Sequence, residues 1–165
     1  VYEIMNKFKK FNYIILSYLF LSFACSLIYI YQSFDIILFN ILVFVIIIFD
    51  TLSYILGSLF GKRFIFKKIS PKKTLEGYVL GFFITNLILQ IYFLFFNTKF
   101  LFFDFLIFVN FIIIISIFGD LFQSIFKRIN NIKDSSSLLP GHGGFFDRFD
   151  SFISSIIFLF IYSYI

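Results

Sequence analysis

Apolar residues run in long blocks along this chain, and polar residues gather in the short stretches between them. A helix needs about 20 apolar residues to cross a hydrocarbon layer about 30 Å thick. Read against that length, the pattern predicts spanning helices over 11–31, 36–60, 78–96, 100–118 and a shorter one over 152–165. The expected fold is all-α, a polytopic transmembrane helical protein of about five spans forming one membrane domain over 1–165. Asn97-Thr98-Lys99 reads as a tight turn, whereas 61–77 and 119–151 read as longer loops that hold nearly all the polar chemistry.

Composition agrees with this reading. The chain is 61% hydrophobic and 14% charged, with a mean hydropathy of +1.00. A soluble domain carries about 25% charged residues. Too little polar surface remains here to cover a water-soluble core, so the bilayer is the expected solvent. The lone Cys25 excludes an intrachain disulfide and sits in an apolar run without metal-ligand neighbours. Lys7, Lys9 and Lys10 before an apolar run resemble a signal-peptide start. The run is too long for that and lacks a small-residue cleavage site, so a retained span is expected.

Charge sets the orientation. A net charge of +5 would suggest nucleic acid as a partner in a soluble protein, but here it is not spread evenly. With five spans, 13 of the 14 Lys and Arg residues fall on one side and only Lys99 on the other. The positive-inside rule makes the crowded side cytoplasmic. Basic loops can serve simply as anchors for anionic headgroups, and this suffices for Lys7, Lys9 and Lys10. The two longer loops also contain acids, glycines and prolines in a specific order.

The later loop holds Asp120, Asp147 and Asp150 among Lys127, Arg128, Lys133 and Arg148. Asp147 and Asp150 would share a face if helical, and Asp120 could point back towards them. Converging carboxylates repel unless a cation lies between them. An oxygen-only set suggests Mg²⁺ or a similar hard ion, with room for a second cation. Hard ions flanked by bases are the equipment for handling phosphates. The glycines around His142 would let backbone N–H groups approach a phosphate. Helix capping and local salt bridges are the plainer use of the same acids. Asp50, inside the second span, is costly there and is a candidate functional group or a hydrogen-bonded helix tie. Gly57-x-x-x-Gly61 and Gly77-x-x-x-Gly81 fit either close helix packing or helix ends.

These residues also form a pattern. Ser124-x-x-Lys127-Arg128, Lys133-Asp134, Leu139-Pro140-Gly141-His142-Gly143-Gly144 and Asp147-Arg148-x-Asp150 follow one another in order. Upstream lie Gly119-Asp120-Leu121, Gly57-x-x-x-Gly61-Lys62 and Ser70-Pro71-x-Lys73-Thr74-x-Glu76-Gly77. The set resembles the phosphatidate cytidylyltransferases, also called CDP-diacylglycerol synthases, from about Asp50 onward. Leu52 is bulkier than the family's usual small residue before Tyr54. Family members generally carry further N-terminal spans, so a C-terminal portion or a reduced member is expected.

The resemblance implies transfer of the cytidylyl group of CTP to phosphatidate, giving CDP-diacylglycerol and pyrophosphate. It implies a multi-pass protein of the inner (plasma) membrane, with CTP, phosphatidate and the bilayer as partners, no nucleic acid, and room for a homodimer. Asp120 and Asp147, then Asp150 and Asp50, are the implied metal ligands. Lys127, Arg128, Lys133, Asp134, His142 and Arg148 are the implied catalytic and phosphate-holding groups. Ser70, Lys72, Lys73, Glu76, Ser124, Gly143 and Gly144 are the implied substrate-binding ones. Three rivals remain: an inactive remnant that binds lipid or a partner, a small transporter built on Asp50, and a CTP transferase for another lipid phosphate.

The orientation is directly testable. A cysteine replacing Lys72, in a Cys25→Ser background, is expected to resist an impermeant thiol reagent added outside intact cells and to react after permeabilisation. Labelling in intact cells would reverse the orientation.

Overall fold

The computed structural model describes residues 12–32, 34–65, 69–70, 73–95, 101–132, 135 and 146–164, with the backbone alone at Asn12 and Arg148. Helix α1 runs Asn12–Gln32, α2 Ile36–Phe60, α3 Leu75–Phe95, α4 Phe102–Ile129 and α5 Asp150–Tyr162, with a 3-10 turn at Phe146–Arg148. The all-α expectation holds. Helices α1 to α4 are each long and apolar enough to cross a membrane. Helix α5 has 13 residues, about 20 Å at 1.5 Å per residue. Large apolar side chains stay on the outside, Phe83 at 65% and Leu94 at 77% exposure among them. That suits helices whose surroundings are as apolar as their cores.

The chain divides into two compact units, one comprising residues 35–114 and the other 1–34 with 115–165, and the boundary falls inside α4. In the first unit α2 packs along α3. Asp35 caps the start of α2, its Oδ1 accepting from the amides of Ile37 at 2.8 Å and Leu38 at 3.4 Å. Thr74 does the same for α3, its Oγ1 accepting from the Gly77 amide at 3.2 Å. The cap explains why α3 begins at Leu75, earlier than the apolar run alone predicts. Between the helices, Phe64 and Thr74 form an antiparallel bridge. The Leu75 amide donates to the Arg63 carbonyl at 2.9 Å.

The glycine spacings belong to this helix crossing. A Cβ on Gly77 would lie 2.5 Å from the Ser53 carbonyl oxygen and 2.7 Å from Gly57 Cα, so the two backbones touch where both residues lack side chains. Close packing of this kind compensates for the absent hydrophobic drive between helices in lipid. On the same two helices Phe49 stacks on Tyr78 at 6.0 Å and 9°. Farther along, Phe93 meets Phe105 of α4 at 5.0 Å, and Asn86 donates to Asn110 Oδ1 at 3.1 Å.

In the second unit α1 packs on α5, around a core of Ile15, Phe126, Phe146 and Ile153. Tyr18 of α1 meets Phe122 of α4 at 5.1 Å. Gly119 lets α5 approach α4, since a Cβ there would lie 2.9 Å from the Asp150 carbonyl and run into Ser154. Ser154 Oγ also donates to the Ile115 carbonyl at 3.1 Å.

Helix α4 corrects the sequence reading. The fourth span was expected to end at Phe118 with a loop from Gly119, yet the helix continues unbroken to Ile129. Beyond Gly119 the chain keeps a helical alternation, with Phe122, Ile125 and Ile129 exposed and Asp120, Gln123 and Ser124 buried. A mid-helix glycine costs about 1 kcal/mol relative to Ala, and the close contact with α5 offsets it. Asp147 and Asp150 were expected to share one helical face. They lie on different elements, the 3-10 turn and α5, because Phe149 between them adopts φ −112° and ψ 18°.

Gly77→Ala is expected to destabilise the α2–α3 pair by about 1–3 kcal/mol, the usual range for overpacking a tight contact. Loss of secondary structure on heating in detergent measures it, with Val79→Ala on the exposed face as the neutral comparison.

Candidate active site

The C-terminal turns of α4 carry polar residues inwards in a chain that otherwise buries hydrocarbon. Ser116 is 1% exposed, Asp120 7%, Gln123 2% and Ser124 8%. Lys127 continues the row, so Asp120, Gln123, Ser124 and Lys127 repeat at the i, i+3, i+4, i+7 spacing that defines one helix face. Burying polar groups without partners is expensive, so such a face is built to hold something.

Part of what it holds is the 3-10 turn. Lys127 Nζ donates to Asp147 Oδ1 at 2.9 Å, with both side chains nearly buried. One turn earlier, Gln123 Nε2 donates to the Phe146 carbonyl. Consecutive turns of α4 therefore grip consecutive residues of the turn. Ser135 completes the clasp, its backbone amide donating to Asp147 Oδ2 at 2.8 Å and its hydroxyl to the same oxygen at 3.1 Å. Asp150 opens α5, its Oδ1 accepting from the Ser151 amide at 2.9 Å. Because Gly119 touches the Asp150 backbone, the two helices meet beside Asp120.

Other expected phosphate holders have local work. Arg128 Nη1 donates to the Ile132 carbonyl at 3.3 Å. This secures the end of α4, where Asn131 takes φ 55°, a left-handed conformation that asparagine tolerates. On the outer side of the same helix a groove of about 460 Å³ is lined by Tyr18, Phe118, Leu121, Phe122, Ile125 and Ser154. Its walls are almost wholly apolar.

The other unit carries the second group of candidates. Glu76 Oε2 accepts from the backbone amides of Lys62 and Arg63, each at 3.0 Å. Its carboxylate thus ties the start of α3 to the chain leaving α2. The Ser70 carbonyl accepts from the Lys73 amide at 3.4 Å. The Lys73 ammonium lies 5.6 Å from the Tyr78 ring centre, a cation–π distance. Asp50 is half-buried on α2, and its carbonyl accepts from Ser53 Oγ at 3.1 Å.

Of the candidate residues, Asp120, Ser124, Lys127, Arg128, Asp147 and Asp150 fall in one unit and Asp50, Ser70, Lys73 and Glu76 in the other. Lys72, Lys133, Asp134, His142, Gly143 and Gly144 lie outside the described residues, as does the Arg148 side chain. Two contributors were absent from the expected set. Ser135 stands in a run of three serines, which carries no chemical signal of its own. Gln123 carries a visible signal, an amide three residues after Asp120 and four before Lys127 within an apolar helix.

Among the described residues no three His, Cys, Asp or Glu side chains converge as a cation cage. The donors present are nevertheless all hard oxygens, which suits Mg²⁺ in kind. On the same helix as Asp120, Gln123 Oε1 is buried without a hydrogen-bond partner. Asp147 already faces the Lys127 ammonium, so a divalent ion there would exchange with it.

Comparison with known proteins adds the family. A model described as the Cytidylyltransferase family matches residues 2–165. A phosphatidate cytidylyltransferase of Staphylococcus haemolyticus is 50% identical over 107 residues, covering 63% of this chain and 40% of that protein. One of Haemophilus influenzae is 43% identical over 114 residues, covering 66% and 39%. Two-fifths of the relatives' length is thus matched, and the match to the family model runs nearly end to end: this chain belongs to the cytidylyltransferase family.

Proposed function

We propose that the chain transfers the cytidylyl group of CTP to phosphatidate, giving CDP-diacylglycerol and pyrophosphate. The observation that supports this most is the buried polar face of α4, from Asp120 to Lys127, clasped to the turn that bears Asp147. The relatives named phosphatidate cytidylyltransferase supply the substrate class.

In this reading a phosphate oxygen of phosphatidate attacks the α-phosphorus of CTP. The bond from that phosphorus to the bridging oxygen of the β-phosphate breaks, and pyrophosphate leaves. Such a transfer asks little covalent chemistry of the protein, and needs placement and positive charge opposite the oxygens where negative charge gathers. Lys127 and Arg128, in the last turn of α4, supply charge beside the turn. Asp147 fixes the Lys127 ammonium in place, and Ser135 fixes Asp147. Lys73 and the clamp formed by Glu76 shape the other loop, towards which Ser70 also contributes. Mg²⁺ held by Asp120 and Asp150, with Asp147 in exchange with Lys127, would neutralise phosphate charge and polarise the α-phosphorus.

The apolar groove against Tyr18 and Phe122 suits an acyl chain. Its neighbour Gly119 is one residue from Asp120, so a lipid lying there would present its headgroup to the polar face. The charge asymmetry supports a cytoplasmic side for these loops, in a protein of the inner (plasma) membrane.

Membranes bearing the chain, given labelled CTP, phosphatidate and Mg²⁺, are expected to form a labelled CDP-lipid. Properly inserted protein that forms none would remove the enzyme reading and favour a lipid-binding remnant. Asp120→Asn is expected to lower the turnover number by roughly 10²-fold, the scale of one lost preorganised electrostatic group. Lys127→Met leaves Asp147 nearly buried without its ammonium partner. Its expected cost is about 3 kcal/mol of thermal stability, moderated by the surviving Ser135 bonds. An unchanged melting curve would show that the ion pair does not hold the turn.

A further inference from the structure

We propose that Tyr78 is a positioning residue for Lys73, its ring holding the ammonium by a cation–π contact so that Lys73 meets a substrate phosphate already placed. The inference rests on the cytidylyl-transfer reading. It gives a role to a residue just beyond the sequence pattern that ends at Gly77.

A lysine side chain is long and flexible, and holding it in one geometry costs conformational entropy. Lys73 starts from a fixed base. Its carbonyl accepts from the Ile65 amide and its amide donates to the Ser70 carbonyl, each at 3.4 Å. The next residue, Thr74, is 5% exposed and caps α3. The backbone thus sets where the stem begins, and Tyr78 sets where it ends. Lys73 Nζ lies 5.6 Å from the centre of the Tyr78 ring, within the reach of about 6 Å for a cation–π contact. Both residues are half-buried, where less water competes and the attraction is stronger than on an open surface.

The ring is itself held. The Tyr78 amide donates to the Thr74 carbonyl at 3.2 Å. Phe49 of α2, 1% exposed, stacks on Tyr78 with centroids 6.0 Å apart and planes 9° from parallel. The backbone contact of Gly57 with Gly77, one residue before Tyr78, keeps the two helices together. Lys73 is therefore referred, through a ring, to the most tightly packed part of this unit.

A ring suits this task better than a carboxylate. A carboxylate would neutralise the ammonium that a phosphate has to meet. An aromatic face attracts the charge through its quadrupole and leaves it in place. The only acid between Gly61 and Gly77, Glu76, gives its Oε2 to the amides of Lys62 and Arg63.

The test measures CDP-lipid formation by the full chain in membranes, reading KM for CTP and KM for phosphatidate separately. Tyr78→Phe keeps the ring and serves as the reference, and phenylalanines with one, two or three ring fluorines then replace it. Fluorine draws electron density from the ring face while nearly keeping its shape, so the pull on a cation falls and the packing on Phe49 stays. One of the two KM values is expected to rise stepwise with fluorine, reaching about fivefold, the scale of a lost cation–π contact. The thermal midpoint is expected to stay put, and the KM that moves names the substrate whose phosphate Lys73 meets. In a Lys73→Met background the same fluorines are expected to change nothing, because the double-mutant cycle isolates the pair. A flat series, or a rise that persists without the ammonium, would overturn the inference and leave Tyr78 a packing residue. If Lys73→Met alone keeps both KM values, Lys73 holds no substrate phosphate, and the inference falls while cytidylyl transfer stands. A wild-type chain that forms no CDP-lipid would remove the transfer reading itself.

Discussion

The polar side chains within the apolar helices have to be satisfied without much help from water. Within a hydrocarbon layer each helix closes its own backbone bonds, but side chains such as Asp120, Gln123 and Asn86 must find partners inside the protein. That constraint separates the chain into two kinds of surface. Most of α1 to α3 presents Phe, Leu and Ile outward. One face of α4 gathers buried polar groups and joins them to the turn at Phe146–Arg148. Polar groups become useful in such a setting because few solvent molecules compete for them.

The same constraint explains how the helices are held. Dispersion and close backbone approach do what the hydrophobic effect does in soluble proteins. Gly57 and Gly77 bring α2 and α3 into contact, and Gly119 brings α4 against α5. The latter contact sets Asp120 beside the start of α5. Packing and chemistry therefore share residues, and a glycine that reads as a helix breaker in sequence is here what allows the site to close.

The spans were legible because hydropathy over about 20 residues is a collective signal, insensitive to any single substitution. The end of α4 was not. Gly119, Asp120 and the Lys127-Arg128 pair each look like loop residues taken singly, and their helical state follows from burial against α5 and the turn. The polar repeat from Asp120 to Lys127 was present in the sequence, but polar periodicity in a membrane helix is easily read as charge clustering. For the acids, sequence spacing suggested that Asp147 and Asp150 act from one face, whereas Phe149 separates them into two elements. Glu76 gave no hint of its use: a carboxylate aimed at the amides of Lys62 and Arg63 arises only once the loop folds back on itself.

The Lys127–Asp147 pair also bears on ionic strength. Charges exposed at a membrane surface are screened over about 8 Å at physiological salt, and basic loops lose their hold on anionic headgroups as salt rises. A nearly buried pair is reached by few counterions. Salt would thus loosen the attachment of the loops to lipid headgroups while leaving the alignment of Asp147 on α4 almost untouched, so that docking at the bilayer and the internal geometry of the site respond separately to the same medium.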